Sequence, residues 1–254
     1  MTLTDFISKV RLVLDMDNST ALISAGDTDA AYLDAIIKGN AVPAAKEMVS
    51  VAPARLLVPG TLVSLVARGT STSSSTTDDN TSDSKAGILD IEDDTALEMS
   101  TVNGATFSTV SLPDDFYRLL DVKAKSWERP GKIIYDDDAE YALQKSKWAG
   151  LRGNTEAPVA VLVKAGKSPG HKLELYPAET STGATGYCLY CPVPSVSEGN
   201  LVMPSKLSES IVYACASLTA ETFGNASLAE RYMLHAYRLA EITTKNTDNN
   251  GDKE

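Results

Sequence analysis

Gly166-Lys167-Ser168 is the ending of a phosphate-binding loop, in which backbone amides and a lysine ammonium hold phosphate oxygens. The full pattern needs a glycine at position 161, where Val161 stands, and a helix start where Pro169-Gly170 stand. The spacing predicts a β-turn instead. Cys188-Leu189-Tyr190-Cys191 has the C-x-x-C spacing of zinc and redox sites. Zinc takes about four ligands, and beyond this pair there are only Cys215, His171 and His235, none at ligand spacing. A redox pair sits at a helix N-terminus, whereas these two lie in a strand-like segment, where residues three apart point to opposite faces. Packing is their expected role. Asp136, Asp138 and Glu140 imitate the first ligands of a calcium loop, but Tyr141 takes the glycine position and Lys147 the closing glutamate position. Neither histidine stands beside a nucleophile in the pattern of an acyl-transfer triad. We therefore expect no catalytic, cofactor-binding or metal-ligating residue.

Composition narrows the class further. The chain has 254 residues and 43% hydrophobic content, enough to bury one large core or two modest ones. Three cysteines do not make a disulfide framework, so a reducing, intracellular setting is expected. The opening MTLTDFISKVRLVLD places Asp5 and Asp15 around an interrupted apolar pattern, unlike a signal peptide or a membrane span. The expectation is a soluble chain with no membrane partner. A net charge of −11 opposes the counterion release on which phosphate binding draws. Lys123, Lys125, Arg129 and Lys132, then Lys145, Lys147 and Arg152, form the densest run of positive charge. Its plainer reading is a solvated face or salt bridges to a neighbouring subunit.

Helical periodicity marks both ends of the chain. Thr2 with Asp5 reads as a capping box, and Leu3, Phe6, Ile7, Val10 and Leu14 form one apolar stripe. A second helix begins near Asp29 with Tyr32, Leu33, Ile36 and Ile37. Gly39-Asn40 and Pro43 predict a kink or a split before Ala44, Ala45, Met48 and Val49. At the other end Pro204-Ser205 is a start signal for a helix burying Leu207, Ile211, Cys215 and Leu218. Gly224-Asn225 predicts a left-handed cap, and Leu228, Tyr232, Met233, Ala236, Leu239 and Ala240 mark an antiparallel partner helix.

The middle reads as β. Leu62–Val66, Gly87–Ile91, Phe107–Leu112, Leu120–Ala124, Leu173–Leu175 and Tyr187–Cys191 suit strands, and Val159–Val163 suits a strand covered on both faces. Residues 138–147 predict one short helix with Tyr141, Ala142 and Lys145 on a shared face. Every residue from Thr70 to Ser84 is Ser, Thr, Asp or Asn, a tract with no apolar surface to offset ordering entropy, and so an expected mobile loop. The apolar faces of the two ends need cover, and covering each other is the simplest solution. The expected fold class is α+β: a helical bundle built from residues 1–60 and 204–246, with an antiparallel β-domain, 61–203, inserted between. Loop 70–84 lies in that β-domain, and 247–254 forms a polar tail.

One series of segments has a familiar order. It runs from the amphipathic start through a helix ending in VAPARLL to LPDDFYRLL and a strand. WAGLRG with a Pro-led strand, KLELYP and the helix YACASLTAETFG follow. In that order the chain resembles the head-to-tail connectors of short-tailed phages, the tail tubular protein A type of adaptor. The likeness covers roughly residues 2–242 without the polar loop, and it extends to a neck ring protein of a crAss-like phage. The long polar insertion and a rather short β-domain depart from the family. The resemblance implies a homo-oligomeric ring, usually dodecameric, between the portal protein and further tail or neck ring proteins. It implies assembly in the host cytoplasm, residence in the virion and a channel that passes DNA without holding it tightly. Under it Leu112, Pro113, Phe116, Tyr117, Arg118, Trp127 and Trp148 become candidates for anchoring the β-domain or meeting a partner. Lys123, Lys125, Lys145, Lys147 and Arg152 become candidate contacts between subunits. A carbohydrate- or surface-binding β-module is the alternative from another class, and a catalytic domain with an unrecognised site is a third.

Overall fold

A computed structural model describes residues 1–16, 27–58, 61–67, 96–164, 170–179 and 183–242. The polar tract 70–84, the strand expected over 87–91, the Gly-Lys-Ser turn and the tail 247–254 lie outside these residues. In chain order the elements begin with α1 (Leu3–Met16), α2 (Asp27–Val51), α3 (Ala54–Leu57) and β1 (Thr61–Ala67). Next are β2 (Ala96–Val102), β3 (Ala105–Ser111), β4 (Phe116–Ala124), β5 (Lys132–Tyr135) and α4 (Ala139–Gln144). After these come β6 (Val159–Lys164), β7 (His171–Tyr176) and β8 (Gly183–Pro192). The last are β9 (Ser195–Ser197), β10 (Asn200–Val202), α5 (Ser208–Thr222) and α6 (Ala226–Leu239). The protein is α+β, and its contacts divide it into two compact units, Met1–Val58 with Pro194–Glu254, and Pro59–Val193.

In the first unit α5 is the organising element. Its buried face is made of small residues, Ser210, Ala214, Cys215, Ala216, Ser217 and Ala220, so neighbouring backbones come close. Ser210 Oγ donates to Ala236 O at 2.8 Å and Ser217 Oγ to Ala229 O at 2.6 Å, which fixes α6 along it. Cys215 Sγ reaches Ile37 O of α2 at 3.5 Å on another side. Burial nearly all round replaces the single stripe expected, and Leu218 is only half-buried. Where α5 ends, Asn225 N–H donates to Ala220 O and Gly224 N–H to Glu221 O, with Gly224 at φ +78°. That is the Schellman arrangement its Gly-Asn pair predicts. At α1 the Thr2 hydroxyl accepts from Asp5 N–H at 3.1 Å, and Phe6, Val10 and Leu14 are buried.

Two expectations need correcting here. α2 runs unbroken through Pro43. Proline removes one backbone hydrogen bond, but Ala41, Ala44, Ala45 and Met48 around it are fully buried, and that packing holds the helix where local propensity would not. The boundary of the inserted part also moves, from residue 203 back to Val193. The hairpin β9–β10 belongs with the chain ends: Leu3 N–H donates to Gly199 O, Leu201 N–H donates to Met1 O, and Leu201 is buried.

The second unit is an eight-stranded sheet in the order β4-β8-β1-β2-β3-β7-β6-β5. It is mixed rather than antiparallel, because β1 pairs with β2 and β5 with β6 in parallel. Parallel neighbours need a long crossover, and the stretch containing α4 supplies it between β5 and β6. Strands far apart in that order share one core. Phe116, Leu119 and Val122 of β4 and Tyr190 of β8 cluster with Val110 of β3, Leu162 of β6 and Leu173 of β7. Gly131 N–H, just before β5, donates to Val122 O of β4 at 2.8 Å. The sheet therefore coils until its ends face each other, with Trp127 inside.

Burial along β4 falls at Phe116, Leu119, Val122 and Ala124, so of the alternating set Leu120, Val122 and Ala124 only Leu120 departs from its expected place. Register shifts between Phe116 and Arg118, and again between Leu119 and Asp121, supply the reason. Each bulge adds one residue and turns the following side chains over. β6 meets its expectation, with Ala160 and Leu162 in one cluster and Val159 and Val161 in another.

Candidate interaction site

The segment from β5 through α4 to Gly153 is short and polar, yet bonds to its own unit at many points. Asp138 Oδ2 accepts from Tyr135 N–H at 2.7 Å at the entrance to α4. Asp136 Oδ2 accepts from Lys164 N–H at 3.2 Å, and Lys132 Nζ lies 2.6 Å from Glu140. The three acidic residues that imitate a calcium loop thus carry backbone and lysine partners. Gln144, buried, accepts from Gly153 N–H at 2.8 Å through Oε1 and so closes the segment on itself. Gly153 has no room for a side chain, since a Cβ there would lie 2.7 Å from Tyr176 O.

Beneath α4 lies a polar cluster on the outer face of β7. Glu174 is buried and accepts from Tyr176 OH at 2.8 Å and from Tyr141 OH at 3.3 Å, with Lys145 Nζ at 3.7 Å. Lys145 also donates to Tyr141 OH and sits 4.2 Å from the centre of that ring. Burial pushes the Lys145 pKa down, but the Tyr141 hydroxyl and the Glu174 carboxylate outweigh it and the net shift is upward. Burial, then the bond to Glu174, raises the Tyr176 phenol. A lysine held charged beside a carboxylate is a poor nucleophile or base; it acts as a fastening.

Above this platform the segment exposes large apolar groups. Trp148 is 65% exposed, Leu151 51%, Tyr135 49% and Leu143 43%. Lys147 Nζ lies 5.3 Å from the centre of the Trp148 ring, covering part of it with a cation. Rigid aromatic and aliphatic groups beside cations, on a bonded scaffold, suit recognition of another surface.

The other sequence candidates separate clearly. Leu112, Phe116 and Trp127 are buried and anchor the β-core. Phe116 packs against His171 at 5.2 Å and Tyr190 at 5.7 Å between ring centres. Pro113 is half-buried at the bend leading into β4, and Tyr117 and Arg118 are half-buried in the first residues of that strand. That bend is fastened by Asp115, whose Oδ1 accepts from Tyr190 OH at 2.8 Å. Lys145 departs from an inter-subunit role, being spent on Glu174 of its own chain. Arg152 donates to Gly104 O at 3.1 Å, also within its own unit. Lys147 stays on the surface beside Trp148, Lys125 is exposed and Lys123 half-exposed on β4. The cysteine pair is buried, and burial raises the thiol of Cys188 to about 12 and that of Cys191 to about 11. Sequence reasoning missed Glu174, Gln144, Tyr135, Leu143 and Leu151. Glu174 reads as a surface residue between two inward leucines, and nothing local to Leu143 of α4 or to Leu151 beyond it marks either as exposed.

Among the described residues no group of three His, Cys, Asp or Glu could hold a metal ion. No helix among them is long and apolar enough to cross a membrane. No protein-family model and no curated protein matches the chain.

Proposed function

We propose that the protein is a structural subunit of a phage neck: a head-to-tail connector ring joining the portal to the tail and forming part of the DNA conduit. The observation that carries this reading is the exposed set Trp148, Leu151, Leu143 and Tyr135 on a platform fixed by Gln144, Lys145 and Glu174. A fixed apolar patch suits a permanent partner better than a substrate. In a heterologous interface such a patch meets a different surface of the next copy, and rotation closes the ring. The segment order of the connector family adds the portal as partner for the helical part and further neck or tail rings for the β-part. In this reading the two chain ends make one helical bundle with the β-domain inserted, and the ring, a dodecamer, assembles in the host cytoplasm and ends in the virion. The net charge of −11 suits a channel that lets DNA slide.

Native mass spectrometry and negative-stain microscopy of the purified protein, alone and mixed with its portal, test the reading. Closed rings, lost in Trp148→Glu, are the expected result. A strict monomer that never joins a portal overturns it. Glycan titrations that shift the emission of exposed Trp148 and leave assembly untouched would favour a carbohydrate-binding module.

A further inference from the structure

The tip of the β2–β3 hairpin is the pair Asn103-Gly104. Val102 pairs with Ala105 across it, and φ is +51° at Asn103 and +76° at Gly104, the two left-handed positions of a type I′ turn. The other asparagines among the described residues have engaged carboxamides. Asn40 donates to Thr219 Oγ1 and Asn200 to Glu198 O, while Asn154 and Asn225 accept from nearby backbone N–H groups. Asn103 is exposed, and its side chain has no hydrogen bond among the described residues. The residue after it is equally open. The Gly104 N–H has no acceptor among the described residues, and a Cβ on Gly104 would meet nothing within 4 Å. One contact restrains the tip from outside the hairpin: Arg152 Nη1 donates to Gly104 O at 3.1 Å.

We infer that Asn103 is a self-modification site, at which the carboxamide is lost and aspartate or isoaspartate forms. The nucleophile is the chain's own. The Gly104 backbone nitrogen attacks Asn103 Cγ and closes a five-membered succinimide. As that N–Cγ bond forms, the bond from Cγ to the side-chain amide breaks. The Gly104 amide proton passes to solvent base, and the leaving nitrogen takes a proton from water and departs as ammonia. A second water opens the ring. Cleavage at Cγ leaves aspartate, whereas cleavage at the main-chain carbonyl of Asn103 leaves isoaspartate, with the backbone rerouted through Cβ and Cγ. Glycine permits the attack because no side chain crowds its nitrogen. Ring closure also needs the Asn103–Gly104 peptide to rotate out of the turn, so the Val102–Ala105 pairing and the Arg152 bond act as brakes. Either product places a new carboxylate beside Arg152, which ends the segment carrying Trp148 and Leu151.

The test is peptide mapping by mass spectrometry of the full chain, incubated for increasing times over a range of pH. Trypsin releases residues 86–118, which hold Asn103 and no other asparagine or glutamine, so a change of amide to acid there is unambiguous. Expected are a product that grows with time and faster at higher pH, and two chromatographic forms, one of them labelled by an isoaspartyl methyltransferase. No product is expected in Asn103→Gln. In Arg152→Ala the conversion should be about fivefold faster, the factor that one hydrogen bond of ordinary net strength is worth. The synthetic peptide STVNGATF supplies the unrestrained rate. A full chain whose Asn103 stays intact while that peptide converts completely overturns the proposal, and equal rates with and without the Arg152 side chain overturn its part as a brake. If circular dichroism shows Arg152→Ala unfolded, the parent time course and the Asn103→Gln control still decide the site. None of these results depends on ring formation.

Discussion

Trp127 precedes β5 and Trp148 lies within the crossover that carries α4, and their surroundings were built for opposite ends. Trp127 is 2% exposed, donates from Nε1 to Pro177 O at 3.2 Å, and fills the centre of the coiled sheet. Trp148 is 65% exposed and touches chiefly a lysine of its own segment. Polar bonding differs in the opposite sense. The neighbourhood of Trp127 is mostly hydrocarbon, while the platform under Trp148 is held by Asp138, Gln144, Glu174, Lys145 and two tyrosines. An apolar core needs little else to fix its shape. A surface that presents apolar groups must borrow rigidity from polar bonds beneath it.

The largest expected effect breaks the buried side of this comparison. Trp127→Ala removes a side chain shared by strands from both ends of the sheet order. It should destabilise the protein by about 3–5 kcal/mol, the range for large aromatics in cores. Urea unfolding followed by circular dichroism checks it. A loss below about 1 kcal/mol would mean the sheet collapses onto the space and Trp127 is no keystone.

Gly131→Ala sharpens the same point without removing any atom. A Cβ at Gly131 would lie 2.6 Å from Trp127 Cζ3, and the ring is buried with its nitrogen committed to Pro177. The clash should cost about 1–3 kcal/mol, as overpacking does. In Gly131→Ala/Trp127→Leu the penalty of the alanine should shrink, because the offending ring is gone. Two independent, additive losses in that double-mutant cycle would place the strain elsewhere.

Much of the buried side was legible in the sequence. Val159–Val163 reads as a doubly covered strand because its apolar run has no polar alternation. The opposite facing of Cys188 and Cys191 follows from strand geometry alone. Phe116 and Leu119 are legible as anchors, but the bulge between them that brings both inward is not, since a bulge is a property of paired strands rather than of one. The continuity of α2 through Pro43 was hidden for the same reason: the packing that holds it comes from α5, far along the chain. The exposed side was hardly legible. Leu143 and Leu151 carry no local mark of exposure, and Glu174 looks solvent-facing. Only the tertiary fold, which lays α4 over β7, exposes the leucines and buries the glutamate.

The platform itself should respond less than the core. Lys145→Met keeps the aliphatic stem but removes the ammonium beside Glu174, whose carboxylate retains the two tyrosine hydroxyls. Lys145 is a third exposed and its distance to Glu174 is 3.7 Å, so solvent screens the pair. A loss of about 1 kcal/mol is expected, the net worth of one such bond. Greater hydrogen exchange confined to residues 139–153 would show that the lysine fastens α4. Uniform change across the β-unit would assign it to general stability instead.

The smallest expected effect on folding falls at Trp148, and there the comparison meets function. Trp148→Ala deletes a ring that lies mostly in water, so unfolding stability should stay within about 0.5 kcal/mol of the parent. Under the ring proposal the same substitution removes an interface anchor, and truncating such an anchor costs about 2 kcal/mol or more of association free energy. Each interface between copies loses that amount, so a closed ring should disappear from native mass spectra at concentrations where the parent assembles. Trp148→Phe, which keeps an aromatic face, should restore part of the assembly. A Trp148→Ala protein that still closes rings would leave Tyr135, Leu143 and Leu151 without their central contact and would move the interface off α4. An unstable one would show that Trp148 packs like Trp127, erasing the difference between the two.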